Sequence, residues 1–166
     1  MVGECYVGIH YKCFTKGCSV NILLRKYRVS DQEQVNEIYL LSKEIEFSFS
    51  GFKTTVIPLN ENVGFYISFE ESTIMVAEVD GNICGFGGNK GDYISFLFVH
   101  PKYFQKGIGR KIIEAILLDC KKPHLAVLKE NIPAIKLYKS FGFEVEKEFE
   151  GVYNGIKCNC LKMIRK

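Results

Sequence analysis

The chain has 166 residues, 47% of them hydrophobic and 25% charged, with a formal charge of +3. That is enough apolar material for one full-sized core. No apolar run reaches the length that spans a membrane, so no membrane is expected as a partner. The mild basicity argues against nucleic acid, whose binders carry denser basic patches.

Seven cysteines is an odd number, and the opening "MVGECYVGIHYKCF" has no apolar leader segment. Both features point to free thiols in a reducing, cytoplasmic setting. Cys13/Cys18 and Cys158/Cys160 are poorly spaced for a zinc tetrad, so no metal is expected.

Residues 1–19 are read as an N-terminal extension of uncertain structure, although "CYVGIHY" has strand character. Residues 20–166 are read as a single domain. Its first strand spans about 20–28, and Ser30-Asp31-Gln32-Glu33 follows as a capping box. Val35, Ile38, Tyr39 and Ile45 then recur at helical spacing. From Phe47 to Phe69 the chain is aromatic and irregular, with a short helix near 61–70.

"TIMVAEV", "NICGFGG" and "DYISFLFV" form an antiparallel meander. Asp80-Gly81 is its first hairpin turn, because both central positions of a type I′ turn need positive φ. A helix is expected over about 107–120, apolar on enough of its circumference to pack on a sheet. A strand at 123–128 leads to a helix with Asn131 as N-cap, Pro133 in its first turn and Gly142 just past its end. Strands at 143–152 and 156–164 flank a second hairpin turn, Asn154-Gly155. The order is β-α-α-β-β-β-α-β-α-β-β. Strand–helix–strand over 92–128 is a crossover unit, which makes one parallel pair in a mostly antiparallel sheet.

The segment "FVHPKYFQKGIGRKII" at the centre of that unit carries the chemical signal. The first N–H groups of a helix lack partners within it, and its dipole is positive at that end. Gly107 and Gly109 keep side chains out of the way, while Lys106, Arg110 and Lys111 add positive potential. Such a turn suits a phosphate or pyrophosphate. Gly-x-Gly alone is a weak signal, and close helix–sheet packing accounts for it equally well. A dinucleotide fingerprint fails because Ile112 stands at its third glycine, and a P-loop fails because Arg110-Lys111 follows Gly109.

Residues 94–117 resemble the acyl-CoA-binding motif of the GNAT superfamily of N-acetyltransferases. There a strand ends in apolar-Val-x-Pro and Q/R-x-x-G-x-G/A enters a helix. "ENIPAIKLYKSFGFEV" is similar to the second family motif, with Asn131, Ala134, Leu137-Tyr138 and Gly142-Phe143 at its spacing. The chain departs from the first motif at Phe104, which stands at the Q/R position. The likeness covers about 20–164.

The resemblance implies an α/β fold with a mostly antiparallel mixed sheet, helices on both faces and a splayed central parallel pair. It implies acetyl-CoA as co-substrate and a primary amine, on a small molecule or a protein, as acceptor. Leu97, Phe98 and Val99 would pair with the pantetheine arm, and an N–H near Val99 would polarise the thioester carbonyl. Gln105, Lys106, Gly107, Ile108, Gly109 and Arg110 would hold the pyrophosphate, and Asn131 would meet the arm. Tyr138 occupies the family's general-acid position and would protonate the leaving thiolate; a phenol near its ordinary ~10 suits that at neutral pH.

No base is evident. Ala126 and Tyr93 stand where family members carry glutamates, Asp92 and Glu130 are candidates acting through water, and His100 reads as structural. The acceptor is expected among Phe47, Phe49, Phe52, Phe65, Tyr66 and Phe69, with Glu61, Glu70 and Glu71 to attract a cation. No cysteine falls at a family catalytic position, in keeping with direct attack. The alternative is a non-catalytic acyl-CoA sensor or interaction module. Strand edges at the gap and at the C-terminal hairpin offer surfaces for a homodimer.

Overall fold

An eight-stranded sheet frames the computed structural model, which describes residues 9–15, 18–51 and 55–166. In chain order the elements are β1 (Ile9–Thr15), β2 (Cys18–Lys26), α1 (Gln32–Ser50), α2 (Val63–Glu70), β3 (Thr73–Val79), β4 (Asn82–Lys90), β5 (Tyr93–Val99), α3 (Ile108–Leu117), β6 (His124–Leu128), α4 (Ile132–Ser140), β7 (Phe143–Tyr153) and β8 (Ile156–Arg165). The strands lie in the order β1-β2-β3-β4-β5-β6-β8-β7. Among the described residues every neighbouring pair is antiparallel except β5 with β6.

The turn chemistry acts as its residues dictate. Asp80 and Gly81 have φ of 50° and 80°, and Asn154 and Gly155 have 48° and 80°, the positive pair that a type I′ turn requires. β1 pairs along β2 from Ile9↔Leu24 to Thr15↔Cys18, so the sheet begins before residue 20.

Three local expectations shift. The start of α1 is not capped by Ser30 and Glu33. Asp31 is the N-cap, and its carboxylate is committed to the Arg28 N–H at 2.8 Å and to Arg25 at 2.7 and 2.9 Å. Arg25 also reaches Glu78 at 3.0 Å, so this ion cluster ties the helix start to β2 and β3. Second, α1 continues past Ile45 to Ser50 and is closed by Gly51 at φ 68°. Polar residues on its inward stripe, Ser42, Lys43 and Glu46, hide the apolar period there. Third, α3 stops at Leu117, short of residue 120.

Each face of the sheet has its own core. Ile108, Ile112 and Ile116 of α3, with Ile135 and Tyr138 of α4, pack on Ile22, Leu24, Ala77, Ile94, Leu125 and Met163. On the opposite face Val35, Ile38, Tyr39 and Phe47 of α1, with Phe69 of α2, pack on Val76, Phe86 and Phe96. Close approach of α3 depends on β4 glycines. A Cβ at Gly87 would lie 2.5 Å from Ile112 Cγ2, and one at Gly85 would lie 2.9 Å from the Phe98 carbonyl.

The parallel pair is short. β5 and β6 register only at Tyr93↔His124 and Ile94↔Leu125. Opposite β4, Asn89 faces Ile94 while Gly88 faces Phe96, which leaves Ser95 as an extra residue on β5. Such a bulge bends the strand and changes its twist. β5 and β6 therefore separate just beyond it, and the gap opens toward Val99 and Leu128.

Candidate functional site

A cavity of about 880 Å³ runs through this gap, bounded by β5, β6, the turn before α3, the start of α4, α1 and the β7–β8 hairpin. Its β5 edge is set by strand alternation. The His100 N–H donates to the Cys84 carbonyl at 2.9 Å. Backbone groups of alternate residues share a side, so those of Phe98 face β4 and those of Leu97 and Val99 face the gap. The Val99 carbonyl accepts from Ser42 Oγ at 2.8 Å, which ties α1 to the strand end.

At the turn, Gln105 and Gly107 have φ of 62° and 79°. The bond from Lys111 N–H to Gly107 C=O, 3.1 Å, opens the α3 ladder. The N–H groups of Ile108, Gly109 and Arg110 precede it and have no acceptor within the helix. A Cβ at Gly109 would lie 3.5 Å from Val99 and 3.6 Å from Leu137, ordinary contact distances. Packing therefore does not require glycine at 109; its effect is to leave the cavity wall bare.

Of the nearby cations, Arg110 lines the cavity, its guanidinium stacked 4.8 Å from the Phe141 ring centroid and donating to Ser140 Oγ at 2.9 Å. The Lys106 ammonium lies 4.8 Å from the Tyr103 ring centroid, and Lys111 turns away to Glu114 at 2.7 Å.

Across the gap, Asn131 Oδ1 accepts the Ala134 N–H at 3.2 Å, and its Nδ2 donates to Glu46 Oε1 at 3.4 Å. Tyr138 follows two helical turns later, buried but lining the cavity. Its hydroxyl has no hydrogen-bond partner among the described residues. Burial, then the charge of Glu46, pushes its phenol well above the usual range. It is a proton donor that holds its proton at any physiological pH.

The far end of the cavity is built from side chains. Lys43 Nζ pairs with Glu46 Oε2 at 2.7 Å and lies 5.1–5.8 Å from the ring centroids of Phe47, Phe65, Phe98 and Tyr153. Cys158 and Cys160 also line this end, their sulfurs 3.8 Å apart. Burial, with Cys158 beside it, pushes the Cys160 thiol up to about 12, which keeps it protonated and a poor nucleophile.

Residues 70–145 match the family model of the acetyltransferase (GNAT) domain. Among curated relatives, the spermine/spermidine N(1)-acetyltransferase of Bacillus subtilis is 34% identical over 71 residues. That match takes in 39% of this chain and 45% of the relative, so the chain spans less than half of that protein's length. The fold agrees along nearly the whole chain. A GCN5-related N-acetyltransferase from Rhodopseudomonas palustris superposes with a TM-score of 0.72 at 17% identity, covering 95% of this chain and 97% of that one. The yncA protein of Salmonella typhimurium, solved with its cofactor acetyl-CoA, gives 0.62 at 20% identity, covering 86% of this chain and 92% of that one. Residues 70–145 are thus similar to the GNAT acetyltransferase domain, and the fold around them is the one these structures share.

On this frame, Leu97, Phe98, Val99, Gln105, Gly107, Ile108, Gly109, Arg110, Asn131 and Tyr138 line the same cavity. Lys106 stands outside the lining. Phe98 offers its ring rather than its backbone. Phe104, at the departed motif position, lies on the rim and is 43% exposed.

Of the base candidates, Asp92 is engaged elsewhere: the N–H groups of Lys121 and Lys122 hold its carboxyl below the usual range. Glu130 lies off the cavity, and His100 Nδ1 accepts the Lys102 N–H at 3.1 Å. Phe47, Phe49 and Phe65 line the far end of the cavity, whereas Phe69 belongs to the core. Tyr66 lies off the lining, and Phe52 lies outside the described residues. Glu61, Glu70 and Glu71 are exposed and off the cavity, with Glu71 bound to Lys90 at 2.8 Å. The Cys13 and Cys18 side chains are outside the described residues. Among those described, no three His, Cys, Asp or Glu side chains cluster as metal ligands, and no helix is long and apolar enough to cross a membrane.

Sequence reasoning missed Ser42, Lys43, Glu46 and Tyr153. A usable signal existed for the first three. They continue the inward stripe of Val35, Ile38 and Tyr39, where polar side chains are out of place.

Proposed function

We propose that this chain is a GNAT acetyltransferase that transfers the acetyl group of acetyl-CoA to a primary amine by direct attack, with Tyr138 as general acid. One observation carries the reading. A single cavity joins unpaired helix-start N–H groups, the gap-facing edge of β5 and an unpartnered phenol to an aromatic, acid-bearing far end. The first suits a diphosphate, the second an extended amide-containing arm, the third a departing thiolate and the last a cationic acceptor.

In the reaction the neutral amine attacks the thioester carbon, and charge grows on the carbonyl oxygen, where the Val99 N–H faces it. The C–S bond then breaks, the Tyr138 hydroxyl gives its proton to the leaving sulfur, and the proton shed by the attacking nitrogen restores the phenol. The raised phenol leaves that proton in place until the thiolate appears. The protonated cysteine at the far end supports direct transfer over an acyl-cysteine intermediate.

Calorimetry with CoA, followed by thiol release with polyamines, lysine peptides and free protein N-termini, tests the proposal. Binding together with release on one amine class is expected. Binding without release on any amine points instead to a sensor of acyl-CoA, and no heat of binding overturns the reading.

A further inference from the structure

A buried lysine already occupies the acceptor end. Lys43 is 8% exposed, and its ammonium has Glu46 as partner and four aromatic rings around it. A burial of this kind needs compensation, which the carboxylate and the ring faces supply. Stability alone is a poor reason for it, because a buried ion pair roughly breaks even against apolar residues of the same volume.

Its position is more telling. Ser42, the preceding residue, bonds the carbonyl of Val99, whose N–H is aimed into the gap. Glu46 is tied to Asn131, the residue that caps the helix carrying Tyr138. The amine, a carboxylate to take its proton, the carbonyl-polarising strand end and the proton donor thus converge on one cavity from α1, β5 and α4.

We propose that Lys43 is itself an acetyl acceptor, modified by its own chain from acetyl-CoA; the inference rests on the transfer reading above. Lys43 Nζ gives a proton to Glu46, 2.7 Å away, and the freed lone pair attacks the thioester carbon. An N–C bond forms and the C–S bond breaks. Tyr138 protonates the sulfur, and the attacking nitrogen loses its second proton to restore the phenol. The products are Nε-acetyl-Lys43, CoA thiol and one proton. An acetylated Lys43 carries no charge, so the Glu46 carboxylate and the ring cage are released for an amine from outside.

The test is a time course of the purified chain with acetyl-CoA, read by peptide mass spectrometry at every lysine. Holding an amine beside the thioester replaces a bimolecular encounter, so acetyl occupancy at Lys43 is expected to exceed that of exposed lysines by about tenfold or more. Lys157 and Lys166, with side chains 73% and 78% exposed, set the chemical background. The Lys43 rate should not change with protein concentration, should drop in Tyr138→Phe, and should lose its preference in urea. Labelling no faster than at Lys157, a rate that climbs with protein concentration, or a preference that survives unfolding each overturns the inference. Coenzyme binding and transfer to an added amine with Lys43 unmodified sinks this inference alone. Absence of coenzyme binding sinks the transfer reading with it.

Discussion

On the α3 side of the gap, the groups positioned to meet a ligand are backbone N–H donors and the bare wall at Gly109; on the α1 side they are side chains gathered from α1, α2, β5 and the β7–β8 hairpin. The first half is local in sequence and depends on conformation, the second on which distant segments the sheet brings together. A backbone cradle would tolerate side-chain drift such as Phe104, because a helix start presents its donors whatever residues carry them. A side-chain cage has no such tolerance, since Lys43 without Glu46 is a buried ammonium lacking its counter-charge.

Tyr138 stands where the two halves meet, and its removal is expected to have the largest effect. Tyr138→Phe should lower kcat by about a hundredfold to a thousandfold, the range for a positioned general acid. CoA affinity by calorimetry should barely move, because the role proposed for the hydroxyl is confined to the departing sulfur. The pH dependence has a definite sign. Only the protonated phenol donates, and burial raises it above its ordinary value near ~10. The wild-type rate should therefore rise as the acceptor amine deprotonates and stay flat to about pH 10. An alkaline fall beginning near pH ~8 would assign the donor to another group.

The same division explains what could be read from the chain alone. Gly107, Asn131 and Gly142 sit where a turn or cap needs a particular residue at a particular offset, so their places in the fold show in a single pass, whereas Gly109 and Tyr138 were singled out through the resemblance. Both type I′ hairpins and the parallel pair were legible for the same reason. Lys43, Glu46 and Tyr153 acquire meaning only once α1 and the β7–β8 hairpin lie against the same gap, more than a hundred residues apart in the chain. The bulge at Ser95, which opens the gap, leaves no mark in the alternation of "DYISFLFV" because both faces of β5 are apolar. The ion cluster of Asp31 and Arg25 with Glu78 is hidden from the sequence because Arg25 and Glu78 lie on two strands of the sheet.

Two glycines separate cradle from scaffold. Gly109→Val puts a side chain against the bare wall, where its Cβ makes only ordinary contacts with Val99 and Leu137. It should weaken CoA binding by about a hundredfold, near ~2.7 kcal/mol, with little change in thermal stability. Gly87→Ala should do the reverse. Its Cβ would meet Ile112 at 2.5 Å, so overpacking should cost about 1–3 kcal/mol of stability. CoA affinity of the folded protein should be retained. If both variants lose affinity and stability together, the wall at Gly109 is part of the packed core and the division between the two halves fails.

The smallest effect is the sharpest check that the cradle is made of backbone. Lys106 sits in the motif loop, yet its ammonium rests over Tyr103 and outside the cavity lining. It can act on a bound diphosphate only through its field, which salt screens over about 10 Å at 0.1 M. Lys106→Ala should therefore weaken CoA binding by about threefold at low salt, near ~0.6 kcal/mol, and by less as salt rises. A loss that is large and indifferent to salt would mean that the lysine swings in to grip the phosphates directly. The anion would then be held by side chains on both sides of the gap, and the division between the two halves would fail.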